Sequence, residues 1–288
     1  MPPELTEEER AKRRKKSLEL IQAFRLMDDP FMTRIFQDDI KGGQLLATLM
    51  TGRDDITVTK VITQHELKNL LGRSVRLDIH ALDHDKRDID IEIQRAKKGA
   101  TPKRIRHISA MMDANFLLKS EDPEDLPEQY IFFVTEHDVT GFHQLIAPVE
   151  RRMGKNWNVP FRDGSHIAYL DASQADDSPL GKLMHDFLCS RAEDMYYPLL
   201  KGKVQYFKET DEGVTVMCDL MEEFLKEEHA AGFDRGKAEG KAEGIAAATM
   251  KFIRKQLKRK TPYQQIAEDT ETPLDEVLRI AKELNMVY

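Results

Sequence analysis

Cysteine is scarce in this chain, with only Cys189 and Cys218 among 288 residues. The two are far apart and match no zinc spacing, so no disulfide is expected and both read as buried thiols of a reducing compartment. Long apolar runs are also missing. No stretch approaches membrane-spanning length, and the first residues lack the charged-then-apolar layout of a secretory signal. The expected location is therefore the cytoplasm, with no membrane partner. Excess positive charge is absent too: the formal net charge is -7, which argues against a protein that coats nucleic acid by bulk electrostatics. It leaves open a protein that cuts nucleic acid, whose centre is acidic and which needs only local basic patches to hold the backbone. What remains is an ordinary globular composition, 40% hydrophobic and 33% charged, with ample length for a buried core.

Along the chain, residues 1–27 read as a charged leader. From Asp28, the stretch DDPFMTRIFQDDIKGGQLLATLM has an Asp-Pro start signal and apolar residues Phe31, Ile35, Phe36, Leu45, Leu46 and Leu49 at helical spacing, broken at Gly42-Gly43. Ile56 to Ile62 alternates as a strand, and Thr63 to Gly72 connects it to a hairpin. Thr101-Pro102 then opens a helix to about Lys119, with Ile105, Ile108, Met112 and Phe116 on one face and Arg104 and Arg106 beside it. The run YIFFVTE within Gln129 to Glu136 is too uniformly apolar for an edge strand and reads as central. Strands are expected at Phe142 to Glu150 and His166 to Asp171, and helices at Leu180 to Pro198 and Val214 to His229. The main domain is expected to span residues 28–229.

Residues 230–288 differ in character. Gly232, Gly236, Gly240 and Gly244 recur at a spacing of four. Helical glycines need a packing reason, and homodimerisation through this helical region is the preferred one, with a flexible linker as the alternative. A basic amphipathic helix near Ala246 to Lys260 follows, then two short helices opened by Thr261-Pro262 and Thr272-Pro273. Asp275 and Glu276 occupy the N-terminal end of the last helix, which favours an interaction module over a base-reading helix-turn-helix.

The chemistry lies in the hairpin Ser74 to Gln94, SVRLDIHALDHDKRDIDIEIQ. Two period-two runs flank a turn at His84, Asp85 and Lys86. One face collects Val75, Leu77, Ile79, Ala81, Ile89, Ile91 and Ile93, and the other carries Arg76, Asp78, His80, Asp90, Glu92 and Gln94. Folding about the turn sets Asp78 across from, or diagonal to, Glu92. Two carboxylates that close repel unless a cation lies between them or one is protonated. They are hard oxygen ligands for a magnesium-type ion, which keeps several waters and completes its shell with phosphate oxygens. The plainer reading is a ribbon with one solvated face. Basic patches at Arg10 to Lys16, at Arg95, Lys97 and Lys98, at Lys103, Arg104 and Arg106, and at Arg254 to Lys260 are candidates for backbone contacts, each equally readable as a solvated helix face. His80, His107, His137 and His185 share no zinc-ligand spacing.

The order helix, strand, hairpin, helix, strand, with Asp78 on one hairpin strand and Glu92-Ile93-Gln94 on the other, resembles the PD-(D/E)XK nuclease core. The flanking segments DPFMTRIF, GRSVRLDIHALD, IDIEIQRAKKG, YIFFVTE, LMHDFLCSRAEDMYY and VQYFKETDEGVTVMCDLMEE resemble the Rpn family of recombination-promoting nucleases, also called PD-(D/E)XK nuclease family transposases. The similarity covers roughly residues 28–245.

This resemblance implies an α/β fold with a restriction-endonuclease-like core, a mixed central sheet flanked by helices and a helical C-terminal extension. It implies Asp78 and Glu92 as ligands of Mg2+, Mn2+ or Ca2+, helped by the Ile93 carbonyl, with Gln94 completing the catalytic set where the superfamily more often has lysine. Asp29 matches a further acidic position and is the candidate third carboxylate. His107 stands where relatives commonly have an aromatic residue. The implied activity is metal-dependent hydrolysis of DNA phosphodiester bonds, promoting DNA breaks and recombination or serving defence. Arg95, Lys97, Arg104 and Arg106 would contact the DNA backbone. The alternative is a catalytically lapsed nuclease fold acting as a DNA-binding or oligomeric module.

Overall fold

The computed structural model describes residues 6–96, 98–155, 158–221 and 248–287. Lys97, the side chains of residues 7–13, which include the start of the Arg10 to Lys16 patch, and the glycine repeat Gly232 to Gly244 lie outside the described residues. Two units divide the chain, Met1–Glu222 and Glu223–Tyr288.

The first unit opens with helices α1 (Glu7–Ala23), α2 (Asp29–Phe36) and α3 (Ile40–Thr51). Strands β1 (Val58–Leu67), β2 (Val75–Asp83) and β3 (Asp88–Gln94) follow, then helix α4 (Pro102–Phe116) and strands β4 (Gln129–Thr135), β5 (Ile146–Val149), β6 (Arg152–Met153), β7 (Val159–Pro160) and β8 (Ser165–Asp171). Helices α5 (Pro179–Leu188) and α6 (Pro198–Glu209) come next, and residues 211–221 are helical. Six strands form one mixed sheet in the order β1-β2-β3-β4-β8-β5. The first three pair antiparallel, β3, β4 and β8 run parallel, and β5 is antiparallel to β8. All seven residues of β4 are buried, as a central strand covered on both faces requires.

Two apolar layers enclose this sheet. Phe31, Ile35 and Phe36 of α2, Leu46 of α3, Met184 and Phe187 of α5 and Leu200 of α6 pack with Ile79, Ile89, Ile91, Phe132 and Leu170. On the opposite face, Ile105, Ile108 and Met112 of α4 pack on Leu77, Ile131, Phe133 and Tyr169. The result is a mixed α/β architecture with helices on both faces. No helix among the described residues is long and apolar enough to cross a membrane.

Several sequence expectations change for local physical reasons. The break between α2 and α3 falls at Asp38, whose φ of 54° ends the first helix. It does not fall at Gly42-Gly43, which are buried inside α3. A Cβ on Gly43 would collide with Val61 Cγ2 on β1, so this glycine permits close helix-sheet approach. The segment Thr63 to Leu67 belongs to β1 rather than to a connection. The helix expected from Leu180 to Pro198 ends at Leu188, and the next, α6, begins only at Pro198, which excludes helical backbone before it, while the Tyr196 and Tyr197 amides donate to Asp186 at 2.8 and 2.9 Å.

The hairpin faces also divide differently. Val75 and Leu77 pack on the α4 side, apart from Ile79 and Ala81. The strand changes face where the β2–β3 ladder stops at Ile79↔Ile91 and where Gln64 on the neighbouring strand adopts φ 52°. The cysteines are partly exposed rather than buried.

The segment before Asp28 is part of the first unit's core: Ile21 and Leu26 are fully buried and Met27 nearly so. Lys208 holds it there. Its ammonium donates to the Gln22 carbonyl at 3.0 Å and to the Phe24 and Ser190 carbonyls, and the Gln22 amide returns a bond to the Lys208 carbonyl at 2.7 Å. Lys208 is only 4% exposed, so three carbonyls replace its lost hydration.

In the second unit, residues 248–258 are helical and α7 (Tyr263–Thr270) and α8 (Leu274–Glu283) start one residue after Pro262 and Pro273. Ile253, Leu257, Ile266, Val277, Ile280 and Ala281 form their shared core.

Replacing Lys208 by Met leaves three buried carbonyls without a donor and is expected to destabilise the first unit by roughly 2–4 kcal/mol. Thermal melts of wild type and Lys208→Met check this. An unchanged melting temperature would show that water replaces the ammonium without loss.

Candidate functional site

Asp78 stands on β2 just past the last β2–β3 backbone pair, Ile79↔Ile91. There its Oδ2 accepts the Ile93 N–H at 2.8 Å, so a side chain continues the joining of the strands where the ladder has ended. This bond brings Asp78 beside Glu92, the residue preceding Ile93. The face they share is not solvated. Helix α4 covers it, and both Asp90 and Glu92 are 0% exposed.

Helix α4 begins sharply because Thr101 caps the Arg104 amide with its hydroxyl and Pro102 occupies the first turn. That start aims Arg104 back over the sheet. Its Nη2 pairs with Glu92 Oε2, its Nη1 donates to Gln94 Oε1 at 2.9 Å, and its guanidinium lies over the Phe133 ring at 5.4 Å. Gln94 in turn donates from Nε2 to the Lys98 carbonyl at 3.1 Å. The turn closes under it only because residue 99 is glycine, with φ 132° and no Cβ to strike the Gln94 amide.

One guanidinium does not satisfy this many acids. Glu92 Oε1 and both carboxylate oxygens of Asp90 have no hydrogen-bond partner among the described residues. Burial, and then the neighbouring Asp78 charge, push the Glu92 carboxyl up to about 8 despite Arg104. Burial also raises Asp78, to about 6, against the pull of the Ile93 N–H. Asp90, enclosed and facing Glu92, Asp78 and Asp88, is raised well above the ordinary carboxylate range. A pair of buried acids with an unused oxygen is a site short of positive charge.

Asp29 belongs to the same neighbourhood, since its charge contributes to raising both Asp78 and Glu92. It sits at the exposed start of α2, where Oδ1 accepts Gln64 Nε2 at 2.7 Å and Thr33 Oγ1 at 3.2 Å. Arg95 is engaged differently from a free phosphate contact. It pairs with Asp28 and, at 3.1 Å, with Glu136, which also pairs with Arg25 at 2.9 Å. Arg106 is exposed on α4 and has no ion pair among the described residues. His107 Nε2 is buried without a partner among them. His80, on the acidic face, joins Asp88 through Nε2 and lies 2.7 Å from His65 through Nδ1.

The structure also brings together residues that ligand-spacing arguments in the sequence had set aside. Among the described residues, one group of at least three His, Cys, Asp or Glu has ligand atoms all within 4.8 Å of one another: His185, Asp186 and Cys189. This group could hold a metal ion, and the sequence signal for it is the helical i, i+4 spacing of His185 and Cys189. Asp29, Asp78 and Glu92 do not form such a trio. Comparison of the chain with family models, curated proteins and solved structures finds no match.

Because Glu92 is raised from 4.5 to about 8, the metal-free native state binds its proton more tightly than the unfolded chain does. Stability contributed in this way is complete below the unfolded value and lost as pH rises through the folded one. In chelator, wild-type stability should therefore fall between these two values more steeply than that of Glu92→Gln. Melting temperatures across that range measure it; parallel profiles for the two proteins would remove the raised carboxyl from the description.

Proposed function

We propose that the first unit is a metal-dependent DNA endonuclease with a PD-(D/E)XK-type core, and that Asp78 and Glu92 are its metal ligands. The observation that carries this reading is the buried Glu92 Oε1, an unpartnered oxygen beside the half-buried Asp78 carboxylate on the adjacent strand. An all-oxygen donor set of this kind suits Mg2+, with Mn2+ or Ca2+ as substitutes. When bound, such an ion lowers the pKa of a coordinated water and polarises a phosphoryl oxygen. Asp78 is held in place by the Ile93 N–H, and the Ile93 carbonyl would be a further donor. Gln94 would orient the attacking water through its amide, a hydrogen-bonding role without the charge a lysine supplies. Arg104 and the exposed Arg106 would hold neighbouring phosphates, and Asp29 would be the outer third carboxylate. The expected roles in DNA breakage, recombination or defence rest on the family resemblance.

A second reading has its own support. Arg104 already pairs with Glu92 and Gln94, which is how a lapsed site would neutralise its acids without a metal. The chain would then be a DNA-binding or oligomeric module. Dimerisation through residues 230–288 belongs to either reading and rests on the glycine spacing alone.

Purified wild type should nick supercoiled plasmid with Mg2+ or Mn2+ and not in chelator. Asp78→Ala should lower the rate by about 100-fold or more while its circular dichroism remains native. If folded wild type leaves plasmid intact with each of these metals, the lapsed-site reading replaces the enzyme.

A further inference from the structure

We propose that His185, Asp186 and Cys189 form a second metal site, at the C-terminal end of α5, that takes a borderline-soft divalent ion of the zinc type. The argument begins with spacing. His185 lies in the last turn of α5 and Cys189 is its C-cap residue, so the i, i+4 relation places both on one side of the helix end. Cys189 Sγ is 3.4 Å from His185 Nδ1, and that nitrogen is 3.6 Å from Asp186 Oδ1. Ligands around a tetrahedral zinc, bound at about 2.3 Å through sulfur and about 2.0 Å through nitrogen or oxygen, stand roughly 3.3–3.6 Å apart. These two separations match ligands sharing one ion, and all three ligand atoms lie within 4.8 Å of one another.

The acid is fixed before any ion arrives. Asp186 is fully buried and accepts the Tyr196 and Tyr197 N–H groups through separate oxygens, which leaves a lone pair on Oδ1 free. Metal sites depend on outer contacts of this kind to orient their ligands. The His185 ring is also held, edge against the Tyr196 ring at 4.9 Å between centroids. Access is open on the other side, because the His185 side chain is 42% exposed and Cys189 is partly exposed.

Charge favours a cation over a reactive thiol. The negative end of the α5 dipole lies beside the buried Asp186 carboxylate at this place. A free thiolate nucleophile is disfavoured there, whereas a divalent ion offsets the negative charge and displaces the thiol proton to solvent. The imidazole and thiolate donors select zinc-type ions over magnesium, so this site and the Asp78–Glu92 pair differ in the ions they take. Three protein ligands leave a fourth position for water.

The test uses full-length protein without a histidine tag, stripped with chelator and titrated with Co2+ as a spectroscopic probe. Wild type should develop a thiolate-to-cobalt charge-transfer band that one equivalent of Zn2+ abolishes. Cys189→Ser should lack the band, and His185→Gln should weaken Co2+ binding by about tenfold or more. Cys218→Ser and Asp78→Ala should keep it, the latter separating this site from the proposed nuclease centre. Absence of the band in folded wild type with excess Co2+, or its persistence in Cys189→Ser, would overturn the proposal.

Discussion

A buried carboxylate, Glu92, set beside the half-buried Asp78 on the adjacent strand is the constraint around which this structure is arranged. Asp78 and Glu92 occupy adjacent strands under a helix, with Asp90 enclosed beside them. Each buried acid carries a desolvation penalty that neighbouring negative charge increases. Much of the local architecture answers that penalty. The β2–β3 ladder ends early so that the Ile93 N–H meets Asp78, and a capped helix start returns Arg104 to Glu92 and Gln94. What is left over, an unpartnered Glu92 oxygen and raised carboxyls, gives the proposed metal its place.

Around this centre the basic residues sort into distinct classes. Arg104 is drawn inward and shares its charge with the acids it covers. Arg95 is bound to Asp28 and Glu136 and ties the segment before α2 to the end of β3 and β4. Lys208 performs a similar tie elsewhere, with backbone carbonyls instead of carboxylates. Of Arg95, Arg104 and Arg106, only Arg106 is exposed and without an ion pair among the described residues. Charge counted along the sequence therefore overstates what is available to a phosphate backbone.

The hairpin and its acid pair were legible because period-two alternation and a short turn leave little freedom of register: Ile79 opposite Ile91 places Asp78 against Glu92. The buried run at β4 was legible from its uniform apolarity, and the two last helices from their Thr-Pro starts. Other features depend on contacts between distant segments. Nothing near Arg104 in sequence says that its helix folds back over Glu92. Leu77 turns to the other face where Gln64, on a neighbouring strand, adopts φ 52°. Gly43 reads as a helix breaker until Val61 is placed beside it. The pairing of His185 with Cys189 was present as helical spacing, but Asp186 joins them only because the chain returns at Tyr196 and Tyr197.

The central claim is the proposal that the Asp78–Glu92 pair takes a divalent cation and that Glu92 gives up a proton when it does. Calorimetric titration of Mg2+ into chelator-treated protein at neutral pH, in two buffers of different ionisation enthalpy, measures binding and proton release together. The account predicts one binding event whose heat depends on the buffer because Glu92 gives up its proton, and whose buffer dependence disappears in Glu92→Gln. Absence of binding in folded wild type, or binding that releases no proton, would contradict it.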